Sequence, residues 1–175
     1  IPISCRCAPG PMPDSIRMDY AISDSRQKFR IASENPEKIP IISRLLEKHR
    51  SDHVLIIGQY IEQLNRIAEE IKAPMITGKT SNDERIRLYN DFKTGLIKVL
   101  IVSKVANFAI DLPDASVAIQ ISGTFGSRQE EAQRLGRILR PKRGENRAYF
   151  YNIVTAESRE QEFAANRQRF LTEQG

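Results

Sequence analysis

The stretch EEAQRLGRILRPKRG places Gln133, Arg137 and Arg140 four and three residues apart, a spacing that sets them on one face of a helix. A guanidinium keeps its charge and forks onto phosphate oxygens. Two of them one turn apart, beside an amide, therefore suit the stabilisation of a transferring phosphoryl group. Gly136 stands among them although glycine costs a helix roughly 1 kcal/mol against alanine, which predicts a close approach to something at that face. Glu130 and Glu131 lie only at the start of the segment, so no carboxylates interleave with the arginines.

A second candidate is the run Gly78-Lys79-Thr80, the ending of a phosphate-cradling loop. Such a loop needs a glycine five residues before Gly78, and that residue is Ala73, followed by Pro74. Proline removes a backbone N–H from a loop whose purpose is to donate them. The apolar run VLIVS also ends in Ser103 and Lys104, without the aspartate that would hold a magnesium ion. The Gly-Lys-Thr is read as a decoy. Its location still has meaning, because ligands of open α/β sheets sit beyond the carboxyl ends of the strands. Gly78, Lys79 and Thr80 follow one predicted strand, Gln59 follows another, and Ser103 and Lys104 a third. Together they form either a track for a nucleic-acid backbone or ordinary solvated loops.

The elements that must position these residues follow from periodicity. VLIIG, IKVLIVS and ASVAIQIS are continuous apolar runs, as expected of strands buried on both faces of a parallel sheet. APMIT and RAYFYNIV add two more, the latter with Tyr149, Phe150 and Tyr151 as core. Between them lie amphipathic helices. One follows Pro36 and carries Ile39, Ile42, Leu45 and Leu46; another carries Ile61, Leu64, Ile67, Ala68 and Ile71. A third opens on Ser81 and stops at Gly95. Strand and helix alternate, which predicts an α/β domain with a parallel β-sheet flanked by helices. Residues 1–30, rich in proline and aperiodic, read as a linker or partly ordered lead-in, and 31–175 as the domain. Cys5 and Cys7 are expected as reduced thiols in that lead-in, with no metal site. His49 and His53 are expected at the surface.

The 175 residues carry a net charge of +5. Between Arg128 and Arg147 seven basic residues face three acidic ones, so four of the five excess charges sit in twenty residues. That concentration points to an anionic partner, and the RPKRG turn with Lys142 and Arg143 is expected to add phosphate contacts. No apolar run approaches the roughly 20 residues needed to span a membrane.

QRLGRILR resembles motif VI of superfamily 2 helicases. GKTSNDER, LIVSKVANFAIDLPDASVAIQIS, GSRQEEAQRLGRILRPKRG and RQRFLTEQG are similar to the XPB-type DNA helicases, over about residues 30–175. The resemblance implies the second RecA-like motor domain of an ATP-driven 3′-to-5′ DNA helicase acting in repair. ATP and Mg2+ would be held mainly by a first RecA-like domain, and DNA, that N-terminal domain and a repair nuclease are the implied partners. Location would be cytoplasmic, with the nucleoid, in a prokaryote and nuclear in a eukaryote. By the same resemblance Arg140 is the arginine finger, Arg137 its partner, Gln133 a neighbour of the phosphates and attacking water, and Asp111 the contact to the ATP ribose. Gln59, Gly78, Lys79, Thr80, Ser103 and Lys104 would line the DNA path. Ala106, Asn107 and Ala109 depart from the Gly and Asp usual in the surrounding motif V. A nucleic-acid-binding module without motor function, or another superfamily 2 translocase, are the alternatives.

Overall fold

The computed structural model describes residues 3–103, 114–122, 136, 138–145, 147–156 and 158. Within them six parallel strands form one sheet in the order β1-β6-β5-β2-β4-β3. The strands are β1 (Ile3–Gly10), β2 (Val54–Gly58), β3 (Met75–Ile76), β4 (Val99–Ser103), β5 (Val117–Gln120) and β6 (Ala148–Thr155). Helices α1 (Asp14–Ile22), α2 (Ser25–Ser33) and α3 (Lys38–Lys48) precede β2, α4 (Ile61–Ile71) follows it, and α5 (Asn82–Thr94) joins β3 to β4.

The buried apolar runs behave as expected. Val54 and Ile56 point to one face, where α3 and α4 bring Ile42, Leu64 and Ile67. Leu55 and Ile57 point to the other, where α5 brings Leu88, Tyr89 and Phe92. Successive residues of a strand face opposite sides, so a strand covered on both has no reason to alternate with polar residues. Within α4, Leu64 and Ile67 are fully buried. Ile61, expected to face inward with them, is 42% exposed because it stands in the first turn, beyond the end of the sheet. Both ends of α5 are as read: Ser81 Oγ accepts from the Glu84 N–H, and Gly95 adopts φ 81°. The helix expected to begin at Pro36 begins at Lys38.

Residues 3–33 differ from the expected lead-in, since they form β1, α1 and α2. β1 pairs in parallel with the whole of β6, Ile3 opposite Ala148 through Gly10 opposite Thr155. Pro9, the one proline within β1, is tolerated because β1 is an edge strand, where a missing N–H can face away from the ladder. α2 buries Phe29, Ala32 and Ser33, and Thr155 Oγ donates to the Ala32 carbonyl while Asn35 Nδ2 donates to Thr155 Oγ.

The chain passes from β2 to β3 at the edge of the sheet, returns inward to β4 beside β2, and then crosses to β5 on the other side of β2. The crevice where an open sheet takes its ligands therefore lies at the carboxyl ends of β2, β4 and β5. Gln59, Ser103 and Ser122 stand there.

Candidate nucleotide and nucleic-acid interface

Arg140 leaves a helical segment that is clamped to the start of β5. The Ala115 N–H donates to the Ile138 carbonyl at 3.1 Å, and the Arg140 N–H donates to the Ala115 carbonyl at 2.9 Å. Ile138 and Leu139 are buried beneath. The Arg140 side chain is at the surface, and Nη1 donates to the carbonyls of Gly136 at 2.7 Å and Leu139 at 3.1 Å. Among the described residues no carboxylate neutralises it. This is a guanidinium resting on its own helix end, a favourable place for a cation, and available to an anion that offers more. A β-carbon built on Gly136 meets nothing within 4 Å, so the close approach expected there does not come from this chain's described residues. Gln133, Arg137, Asp111 and Lys104 lie outside the described residues.

The carboxyl edge is braced from beneath. The Gln59 N–H donates to Ser122 Oγ at 2.5 Å, and the Ile121 N–H donates to the Ile57 carbonyl at 3.0 Å, so the ends of β2 and β5 are tied together. Lys38, fully buried, sends its ammonium to the Ile121 carbonyl at 2.6 Å. Neither Ser122 nor Lys38 was singled out from the sequence. Lys38 reads there as one more cation at a helix start, and only its burial marks it as a brace. The Gln59 Oε1 is buried without a hydrogen-bond partner among the described residues.

The residues expected along a DNA path separate into three states. Gly78 and Lys79 are exposed, Gln59 and Thr80 are half-buried, and Ser103 is buried opposite Gly58. Ser103 thus does not present its side chain to solvent. The Gly78–Thr80 loop is a tight turn that uses its own donors. The Thr77 N–H donates to Thr80 Oγ at 2.9 Å, the Thr80 N–H to the Thr77 carbonyl at 3.2 Å, and the Lys79 N–H to Thr77 Oγ at 3.2 Å. A phosphate cradle must leave such groups pointing at the ligand. This turn spends the N–H groups of Thr77, Lys79 and Thr80 on itself and leaves the Lys79 side chain exposed.

Lys142 and the histidines differ from the reading above. Lys142 Nζ donates to the Ser51 carbonyl at 3.3 Å and lies 3.7 Å from Asp52 Oδ1, whereas Arg143 is exposed. His49 is buried, with Nδ1 2.8 Å from Asp52 Oδ2 and Nε2 2.8 Å from the Tyr151 hydroxyl. His53 is half-buried against Phe92, and burial, then the nearby Lys98, lowers its pKa. Burial raises the pKa of Tyr89 and of Tyr151. Among the described residues no group of three His, Cys, Asp or Glu could hold a metal ion, and no helix is long and apolar enough to cross a membrane.

The family model described as the ERCC3/RAD25/XPB C-terminal helicase matches residues 2–175. The chain is 51% identical over 164 residues to a Kineococcus radiotolerans protein named DNA 3′-5′ helicase XPB, covering 94% of this chain and 29% of that protein. It is 52% identical over 164 residues to the Mycobacterium tuberculosis protein of the same name, covering 94% and 30%. A Danio rerio protein named general transcription and DNA repair factor IIH helicase/translocase subunit XPB is 36% identical over 172 residues, with 94% and 22% covered. The chain thus spans under a third of the length of these relatives. Among solved structures, the C-terminal domain of the DEAD-box protein Dbp5 superposes with a TM-score of 0.69 at 16% identity, over 99% of this chain and 86% of that one. The C-terminal part of the Fun30 ATPase domain follows at 0.59 and 18%, over 85% and 48%. These two bear on the fold, which is RecA-like.

Proposed function

Since this chain belongs to the ERCC3/RAD25/XPB C-terminal helicase family, we propose that it is the second motor domain of an ATP-dependent 3′-to-5′ DNA helicase or translocase that serves DNA repair. It would work with a first RecA-like domain of the same protein and on DNA. A repair nuclease is a further proposed partner. Its proposed place is the nucleoid of a prokaryote or the nucleus of a eukaryote.

The observation that carries this reading is Arg140, a surface guanidinium whose only hydrogen-bond partners among the described residues are carbonyls of its own turn. A cation engaged by a carboxylate would have to break an ion pair to reach a phosphate, and this one has only weak local acceptors to give up. That environment suits a triphosphate oxygen. The Thr77–Thr80 turn, with its donors used internally, does not suit a phosphate cradle, and no carboxylate cluster among the described residues suits Mg2+. By the family resemblance, ATP and its metal are assigned to a cleft whose floor is the other domain, with Arg140, Arg137, Gln133 and Asp111 supplied from this one. Bound ATP supplies the free energy of γ-phosphoryl transfer to water. Arg140 stabilises the charge that develops on the transferred group, Arg137 supports it, and Gln133 orients the water. Lys79, Lys104 and the Gln59 loop follow the DNA backbone.

Arg140→Ala in the full-length protein tests the assignment. A catalytic arginine finger is worth about 10³–10⁵ in rate, so kcat for ATP hydrolysis should fall by that order while ATP still binds. Turnover that survives the substitution removes Arg140 from the mechanism.

A further inference from the structure

Four side chains from three separate segments form a chain at the amino-terminal end of the sheet. Lys142 Nζ donates to the Ser51 carbonyl at 3.3 Å and sits 3.7 Å from Asp52 Oδ1. The other oxygen of that carboxylate, Asp52 Oδ2, is 2.8 Å from His49 Nδ1, and His49 Nε2 is 2.8 Å from the hydroxyl of Tyr151, in the middle of β6. A carboxylate only accepts, so His49 Nδ1 donates to Asp52 Oδ2, while His49 Nε2 and the Tyr151 hydroxyl share the second hydrogen bond. The Asp52 N–H also donates to the His49 carbonyl at 2.9 Å, which holds the turn between α3 and β2 in shape. Tyr149 closes the far side of the ring, its centroid 5.1 Å from that of His49.

Lys142 is two residues beyond Arg140, and Pro141 is between them. Proline fixes its own φ and restricts the residue before it to extended backbone. Arg140-Pro141-Lys142 is therefore a short stiff strut. One end is pinned where the Arg140 N–H meets the Ala115 carbonyl. The other is pinned where Lys142 meets Ser51 and Asp52. Between the two anchors only the Arg140 guanidinium reaches outward. Ser116 and Val117, at the start of β5, also send their N–H groups to the His53 carbonyl at 3.1 and 3.2 Å, so both anchors rest on the same turn.

We propose that Lys142 and Asp52, backed by His49 and Tyr151, are positioning residues that hold the backbone of Arg140 at the angle from which it reaches the nucleotide. This rests on the motor reading above. The alternative for Lys142, suggested by its place in a basic run, is a grip on DNA phosphate. The two make opposite predictions. A pair with its lysine at the surface, Lys142 at 42% side-chain exposure against 15% for Asp52, adds little to stability. A misplacement of about 1 Å at a catalytic group nevertheless costs up to about 100-fold in rate.

The experiment is Lys142→Met, with Lys142→Arg as the conservative rescue, in the full-length protein. For the methionine variant the proposal expects kcat for DNA-stimulated ATP hydrolysis to drop about tenfold, with KM for ATP and Tm nearly unchanged. It also expects the slope of log K for DNA against log salt to stay as in the parent. The arginine variant should recover most of the loss. An unaltered kcat overturns the proposal. So does a salt slope reduced by the roughly 0.7–0.9 that one lost phosphate contact gives, whatever happens to kcat. Imidazole nitrogen-15 spectra provide a readout independent of turnover. The His49 ring signals should shift in Lys142→Met relative to the parent, because the carboxylate they share loses its cation, and a spectrum identical to the parent's also overturns the proposal. Should Arg140→Ala keep full turnover, the motor reading fails, and the imidazole spectrum still judges the tether.

Discussion

Gly58 and Leu64 lie so close that a β-carbon on the glycine would sit 2.7 Å from Leu64 Cδ2, and 3.0 Å from Ile121 Cγ1 on its other side. The last residue of β2 is thus the point where α4 and the end of β5 converge, one residue before Gln59. Gly58→Ala inserts a methyl group where none fits. Overpacking of this kind costs about 1–3 kcal/mol. A urea midpoint lowered accordingly, with the slope unchanged, is the expected result.

Lys79 is the cation that the Thr77–Thr80 turn pushes outward. If it meets a DNA phosphate, Lys79→Ala should weaken binding similarly for all sequences. It should also shrink the salt slope by roughly 0.7 for single strands. An unchanged slope would leave the turn as a solvated loop.

His53 supplies a pH dependence whose sign is determined by burial. Its folded pKa is below the ordinary 6.5, chiefly through burial and then through Lys98. The unfolded chain therefore binds more protons than the folded one as pH falls through 6.5, and stability declines in that window, levelling off below the folded pKa. Thermal unfolding followed from pH 7.5 to 5 should show this decline, and His53→Gln should flatten its share of it.

The 175-residue chain by itself should not turn over ATP at a measurable rate. Its Gly-Lys-Thr is committed to an internal turn, and the cleft described above needs a second floor. Addition of ATP, Mg2+ and DNA to the isolated chain is the check. Vigorous hydrolysis would mean that phosphate is held here after all.

Much of this was legible in local sequence. β2 and β4 showed as unbroken apolar runs because both of their faces are covered. α5 carried its own start and stop in Ser81 and Gly95. The decoy could be recognised from Ala73 and Pro74 alone. Residues 3–10 were misread because proline signals a break in any strand except an edge one, and edge position is not encoded in the eight residues themselves. His49 was expected at the surface since it stands at a turn between a helix and a strand. Its partner Tyr151 is 102 residues away, and no periodicity reaches that far.

By itself, then, the amino-acid sequence determined the succession of described strands and helices from α3 onward, the arginine spacing of QRLGRILR and, through that motif together with LIVSKVANFAIDLPDASVAIQIS and GSRQEEAQRLGRILRPKRG, the family. These depend on residues within a few turns of one another. Only the tertiary structure decided which strands are neighbours, that Ser103 and Lys38 are buried, and that Lys142 turns back to Ser51 and Asp52 across 91 residues rather than outward with Arg143. Such outcomes follow from chain closure and burial, which act between segments that meet only after the sheet has formed.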